Sequence, residues 1–324
     1  MAAPKRVSVR FTWAGAAVSA HRMSTVAVTA PPPAIEWFAA FLRAGEERRY
    51  DLLLCDVWGV VHDGVRAIRP SVEALVAARE AGARVVLITN SPRPNDGVVG
   101  QLRDLGVPDA AYDAIVTSGD VTRGLMRAGP KLAFHLGPER DMPLYDGTGV
   151  RSVPEREAEV VVCTGYFDDE TETPDDYAPM LQRFGERNLP MIVANPDIVV
   201  ERGDRLIWCA GALGRDYAAM GGEVRIAGKP HPPIYEAAVA LGAEAMGRKP
   251  DPARILAIGD GMPTDIRGAV DRGLDVLFVA GGIHSGEYGG ERIDPGGVGR
   301  FLAANGAGPE DGPGRVVAWI DRLA

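Results

Sequence analysis

Asp51-Leu-Leu-Leu-Cys-Asp56-Val-Trp58-Gly59-Val-Val-His62-Asp63-Gly64 is the stretch whose reading decides the fold. Leu52 to Cys55 is a short, unbroken apolar run. It lacks the alternation of a half-exposed strand, so it reads as a strand of a parallel sheet buried on both faces. Such a strand carries Asp56 to its carboxyl end, the edge where open α/β sheets hold their ligands. Gly59 and Gly64 then allow two sharp turns. A carboxylate buried there is costly unless a metal or hydrogen bonds compensate it. Taken alone, Asp56 fits a structural role as well as a chemical one, and three later stretches tip the balance.

The first of these lies one helix downstream. Pro70 and Ser71 open a helix over Val72 to Glu80, Gly82 stops it, and Ala83 to Ile88 forms a second apolar strand ending in Thr89-Asn90-Ser91. A right-handed strand–helix–strand unit places Thr89 and Asn90 beside Asp56. Helix Asp96–Leu105, strand Ala114–Thr117 and a helix from Ser118 to Met126 continue the alternation. After Gly129-Pro130 come strand candidates at Lys131–Leu136, Glu159–Cys163 and Pro190–Ala194, with a helix over Asp175–Glu186. Residues 130–222 therefore read as an inserted α/β domain, and Asp168-Asp-Glu-Thr-Glu-Thr-Pro within it as a solvated loop. The first domain resumes at Val224-Arg-Ile-Ala-Gly228-Lys229-Pro230, followed by a helix from Pro233 to Leu241. Ile255–Ile258 is a strand leading into Gly259-Asp260-Gly261-Met-Pro-Thr264-Asp265, with a helix from Ile266 to Arg272. Asp275–Val279 is a further strand, and Arg315–Leu323 the last helix.

The expected fold class is thus α/β: a Rossmann-like parallel-sheet core over 34–129 and 223–324, with 130–222 inserted as a cap. Ala34–Glu47 shows helical spacing and is expected to pack on the sheet edge. Residues 1–33 stand apart, with Lys5, Arg6, Arg10 and Arg22, no acidic residue, and Pro31-Pro32-Pro33 at their end. They read as a disordered extension or a start set upstream of Met23; a targeting peptide has similar composition.

At 324 residues, 46% of them hydrophobic, the chain has ample material for a core. Its net charge of -9 argues against a nucleic-acid-binding face. No apolar run is long enough to span a membrane. Cys55, Cys163 and Cys209 are dispersed without metal-ligand spacing, and read as buried, reduced thiols of a cytoplasmic protein.

The strand ends bring Asp56, Thr89, Lys229, Asp260 and Asp265 toward one edge. Carboxylates gathered there repel unless a hard cation neutralises them, and Mg²⁺ with oxygen ligands is the natural choice. Thr89, Asn90 and nearby amides can donate to an anion, and Lys229 adds a positive charge. A carboxylate nucleophile, Mg²⁺, a hydroxyl donor and a lysine together suit phosphoryl transfer.

Asp56-Val-Trp-Gly-Val, Leu87-Ile-Thr89-Asn90, Gly228-Lys229-Pro230 and Gly259-Asp260-Gly-Met-Pro-Thr-Asp265 resemble, in order, the four motifs of the haloacid dehalogenase superfamily. Ala194-Asn195-Pro196-Asp197 in the insert resembles the cap of subclass IIA, the p-nitrophenylphosphatase-like branch. The resemblance implies a Mg²⁺-dependent phosphatase acting on a small phosphorylated substrate, with Asp56 forming an aspartyl-phosphate. It implies that Thr89 and Asn90 hold the phosphoryl oxygens and that Lys229 steadies Asp56. It also implies Mg²⁺ on Asp56, on the Trp58 main-chain carbonyl and on Asp260, with Asp265 in support. Asn195 and Asp197, at a strand end of the insert, either contact the leaving group or form a structural turn, and a cap-mediated homodimer is compatible with this architecture.

One position departs from the pattern. Phosphatases of this superfamily usually carry a second Asp two residues after the nucleophile, to protonate the leaving oxygen, and here that place holds Trp58. An indole exchanges no proton, which puts about 10²–10⁴ in rate at stake. His62 or Asp63 could substitute from the adjacent turn, and a trapped water could do part of the job. Three readings stay open: a slow or leaving-group-restricted phosphatase, a dehalogenase-like hydrolase, and a non-catalytic phosphoester-binding protein. Arg93 would attract an anion or cap its helix, Trp208 and Tyr166 read as packing, and His231 as a turn residue.

Overall fold

The computed structural model describes residues 32–44, 47–202, 205–289, 293–306 and 314–324. The extension expected over 1–33 falls almost wholly outside the described residues. Asp56 sits in a six-stranded sheet in the spatial order Arg315–Ile320, Asp275–Val279, Ile255–Gly259, Leu52–Asp56, Arg84–Thr89, Ala114–Thr117. Every pairing in it is parallel. From Leu52–Asp56 the chain first steps outward to one edge, then returns at Ile255–Gly259 and steps outward to the other. The order reverses beside Asp56, the switch point at which such sheets open a crevice at the carboxyl ends of their strands.

The unbroken apolar strands are explained by burial on both faces. Leu53, Cys55, Val85 and Leu87 join one core cluster, and Leu52, Leu54, Val86 and Ile88 the other, as the two-residue period of a strand requires. Helix Arg69–Glu80 covers the first face with Val72, Leu75 and Ala78. Helix Pro232–Met246 covers the second with Ile234, Tyr235 and Ala238. Thr117 and Asp120 form a reciprocal capping box that starts helix Ser118–Ala128.

A second, five-stranded parallel sheet has the order Val224–Ile226, Met191–Val193, Val160–Cys163, Leu132–Leu136, Arg151–Ser152. Helices Ala178–Glu186 and Ala210–Ala219 cover one face of it. On the other face Met126, from the helix after Thr117, packs with Val160, Val162 and Ile192 and so joins the two layers.

Several expectations are corrected. Val224–Ile226 does not return to the first sheet: it pairs in parallel with Met191–Val193 at the edge of the second, so the crossing back falls after Ile226 rather than at 223. The helix expected over Ala34–Glu47 shrinks to Phe38–Phe41, because Arg43–Ala44 pairs antiparallel with Glu47–Arg48 and this local pairing ends the helix. The terminal helix expected over Arg315–Leu323 is a strand, Arg315–Ile320. Ala318 and Ile320 pack into one core cluster and Trp319 into the other, the strand's period of two, while a register irregularity at Val317 puts Val316 on the Trp319 side. The hairpin Val199–Arg202/Arg205–Trp208 and helices Ala210–Ala219 and Pro295–Ala304 were not foreseen. The acidic loop is not simply solvated: Asp169 pairs with Arg140 and Arg202, and Glu170 with Arg202 and Arg205, fastening the hairpin. All three cysteines are free and buried. Among the described residues no helix is long and apolar enough to cross a membrane.

Candidate active site

Eight of the sequence's candidates, Asp56, Trp58, Thr89, Asn90, Asp197, Lys229, Asp260 and Asp265, line one cavity of about 420 Å³, Asp197 reaching it from the second layer. Strand ends deliver Asp56, Thr89 and Asp260. Lys229 arrives from the crossing after Ile226, where Gly228 has φ +92°. A Cβ on Gly228 would lie 2.6 Å from Asn90 Oδ1, so only glycine lets this turn approach so closely.

Lys229 organises the cluster. It is 2% exposed, and its Nζ donates to Asp56 Oδ1 at 2.5 Å and to Asp265 Oδ1 at 2.6 Å. Carboxylate oxygens of Asp56, Asp260 and Asp265 lie within 4.8 Å of one another. Asp56 Oδ1 also accepts from the Val57 amide at 2.7 Å, so both bonds fall on that oxygen and neither on Oδ2. Asp260 Oδ2 accepts from the Ile283 amide at 2.8 Å, and Asp265 Oδ2 from the Gly261 amide at 3.1 Å. The Gly261 amide belongs to the Gly259–Asp265 motif, whereas the Gly281–Ile283 turn carries no motif that side-chain chemistry alone would flag.

The electrostatics show a site short of positive charge. Burial, then the neighbouring Asp265, pushes the Asp56 carboxyl up by more than Lys229 pulls it down. Burial and Asp265 likewise raise Asp260, to about 7. Burial works against the Lys229 ammonium, but Asp265 and Asp56 outweigh it and push its pKa up, so it stays charged. With all three carboxyls ionised, one ammonium would leave two negative charges in a buried space, which is why Asp56 and Asp260 are pushed up. An oxygen-lined site of that charge fits a hard divalent cation.

Asn90 ties the layers together. Its Oδ1 accepts from the Lys229 amide at 2.7 Å, and its Nδ2 donates to Asp197 Oδ1 at 2.8 Å. Burial raises the Asp197 carboxyl to about 6. Asn195 does not reach this cavity; its Oδ1 accepts from the Asp197 amide at 3.0 Å, and it lines a neighbouring cavity of about 370 Å³ between the layers. Arg93, Tyr166 and Trp208 line that second cavity too.

Trp58 stands where the two cavities meet. Its indole packs edge-on to His62, centroids 5.1 Å apart, and lies over Gly64, whose Cβ would sit 2.6 Å from it. Neither substitute foreseen for the missing acid suits the task. His62 lines the second cavity only, its Nδ1 accepts from the Gly64 amide at 3.0 Å, and burial lowers it to about 4. Asp63 accepts from the Val65 and Arg66 amides and from the Arg66 guanidinium, and these bonds hold its carboxyl below the usual range.

Residues 53–151 match the family model of haloacid dehalogenase-like hydrolases, and 226–298 match a second model, HAD-hydrolase-like. A crystal structure of a hydrolase of the haloacid dehalogenase-like family from Brucella suis is 49% identical, covering 90% of this chain and 100% of that one, with a TM-score of 0.78. The chain belongs to the haloacid dehalogenase-like family. Within that family it is similar to a D-glycerol 3-phosphate phosphatase of Mycobacterium tuberculosis, 26% identical over 249 residues, which are 74% of this chain and 65% of that protein. The chain thus spans just under two thirds of this curated relative's length. A 4-nitrophenylphosphatase from Thermotoga maritima shares the fold, with 23% identity, coverage of 85% and 95%, and a TM-score of 0.61.

Proposed function

We propose that the protein is a Mg²⁺-dependent phosphatase of small phosphorylated metabolites, working through an aspartyl-phosphate on Asp56. One observation carries this reading: a buried lysine bridging Asp56 and Asp265, with Asp260 close enough to share a cation. Asp56 Oδ2, which bears neither the Lys229 nor the Val57 bond, attacks phosphorus while the ester P–O bond breaks. Lys229 holds Asp56 in place and balances charge on the phosphoryl group, and the Thr89 hydroxyl and the Asn90 main-chain amide donate to its oxygens, the Asn90 side chain being engaged by Asp197 and the Lys229 carbonyl. Water then attacks the phosphorus of the acyl phosphate, releasing inorganic phosphate and restoring Asp56. Asp56, Asp260 and the Trp58 main-chain carbonyl would hold Mg²⁺, with Asp265 supporting them. The ion, when bound, supplies charge neutralisation for the transferring group.

The second layer, roughly 130–226, is read as a cap that closes over the phosphate and excludes water. The similarity to a D-glycerol 3-phosphate phosphatase and to its solved relative in complex with calcium supports a phosphoester substrate and a divalent ion. The decisive test is a panel of aryl, acyl and alkyl phosphates with Mg²⁺ or with chelator, on wild type and Asp56→Asn. Metal-dependent phosphate release that survives Asp56→Asn refutes the reading.

A second reading, a protein that binds a phosphate ester without cleaving it, draws on Trp58 in the acid's place. It predicts an ester that stays intact on prolonged incubation with Mg²⁺. The dehalogenase-like alternative has no need of a metal, and the Asp56–Asp260–Asp265 cluster weighs against it.

A further inference from the structure

With Trp58 unable to donate, the leaving oxygen still needs a proton, and the meeting of the two cavities narrows the source. Among the described residues four line both cavities: Trp58, Thr89, Asp197 and Val200. If phosphate lies beside Asp56 in the first cavity and the leaving group extends into the second, the scissile bond lies among these four. This inference rests on the phosphatase reading above. Val200 has no proton to give, and the Thr89 hydroxyl is too weak an acid, its O–H serving the phosphoryl oxygens as a hydrogen-bond donor only. Asp197 is the one carboxyl of the four.

We propose that Asp197 is the catalytic acid of this protein, delivering its proton from the second layer to the oxygen that leaves phosphorus. As the ester P–O bond breaks, the Asp197 O–H proton passes to the departing oxygen, and the phosphoryl group ends on Asp56. The Asp197 carboxylate then takes a proton from the water that attacks the acyl phosphate, which restores the acid and frees phosphate. Asn90 fixes the geometry by donating to Asp197 Oδ1 at 2.8 Å, which leaves Oδ2 for the proton. The Asn195 side chain, accepting from the Asp197 amide, holds the turn that carries it. Burial favours the protonated form that an acid must present.

The test is Asp197→Asn, whose amide oxygen keeps the bond from Asn90. Turnover is measured on p-nitrophenyl phosphate, whose leaving group needs no proton, and on glycerol 3-phosphate and other alkyl phosphates, which do. The expected result is a fall in kcat/KM, which reports phosphoryl transfer to Asp56, of about 10²–10⁴ on alkyl phosphates and under about tenfold on p-nitrophenyl phosphate, while kcat, which includes the shared water step, falls on both. Adding Trp58→Asp to Asp197→Asn should restore alkyl phosphate turnover, since it returns a carboxyl to the same meeting point. Equal losses in kcat/KM on both substrate classes would overturn the proposal in favour of a positioning role through Asn90, and no loss on either would overturn it outright. So would a wild type that cleaves the aryl ester and no alkyl ester. Silence of the wild type on every phosphate ester would refute the phosphatase reading instead.

Discussion

Replacing Lys229 with methionine tests the electrostatic argument most directly, because methionine keeps an unbranched chain and removes only the charged end. The ammonium is buried and touches two carboxylates, at 2.5 and 2.6 Å. Even at an effective dielectric constant of about 20, a charge pair at 4 Å is worth about 4 kcal/mol, and most of that offsets dehydration of the ions. Removing one partner of a buried pair loses the attraction and leaves the dehydration, a cost of about 3–5 kcal/mol. Asp56 already has a raised pKa, so acid relieves part of the penalty by protonating it. Urea unfolding in chelator should therefore show Lys229→Met less stable by about 3–5 kcal/mol at pH 8. The difference should shrink at pH 5, and shrink again at pH 8 when excess Mg²⁺ replaces the missing positive charge. A loss below about 1 kcal/mol at pH 8, or one indifferent to both pH and Mg²⁺, would refute the idea that this lysine compensates the carboxylates.

Adding Mg²⁺ to chelated wild type at about 100 times its Kd should raise unfolding stability by about 2.7 kcal/mol, and Asp260→Asn should abolish most of that gain in the same titration. Gly228→Ala should cost about 1–2 kcal/mol for a left-handed backbone and raise KM by displacing Asn90, both read from urea curves and steady-state kinetics; a loss under about 0.5 kcal/mol would mean the turn relaxes freely. His62 is held at about 4 by burial against 6.5 in the open chain, so unfolded molecules take up its proton first as pH falls. Wild-type stability should accordingly drop relative to His62→Gln by up to about 3 kcal/mol between pH 6.5 and 4, and parallel stability curves would count against it. In the Asp197→Asn background Trp58→Asp should raise turnover of alkyl phosphates more than of p-nitrophenyl phosphate, and equal effects there would show that Trp58 does not face the leaving oxygen.

The core strands were legible because burial on both faces leaves no other residue type at their positions. Leu52–Asp56, Arg84–Thr89 and Ile255–Gly259 show unbroken apolar runs that end in chemistry-bearing residues. The convergence of Asp56, Asn90, Lys229 and Asp260 followed from strand ends and topology. What escaped was whatever depends on partners remote in sequence. Val224–Ile226 looks the same whether it joins one sheet or the other, and only pairing with Met191–Val193 decides it. The hairpin closing the second layer is held by ion pairs from an acidic loop some thirty residues earlier, a link no local pattern reveals. The same limit governs the chemistry. Sequence neighbours of Trp58, His62 and Asp63, suggest themselves as replacements for a missing acid, yet the turn that places them occupies His62 with the Gly64 amide and Asp63 with its own loop. Asp197, more than a hundred residues away, meets the core through Asn90 instead. A lost catalytic group is compensated by what lies near in space, and here that comes from the opposite layer.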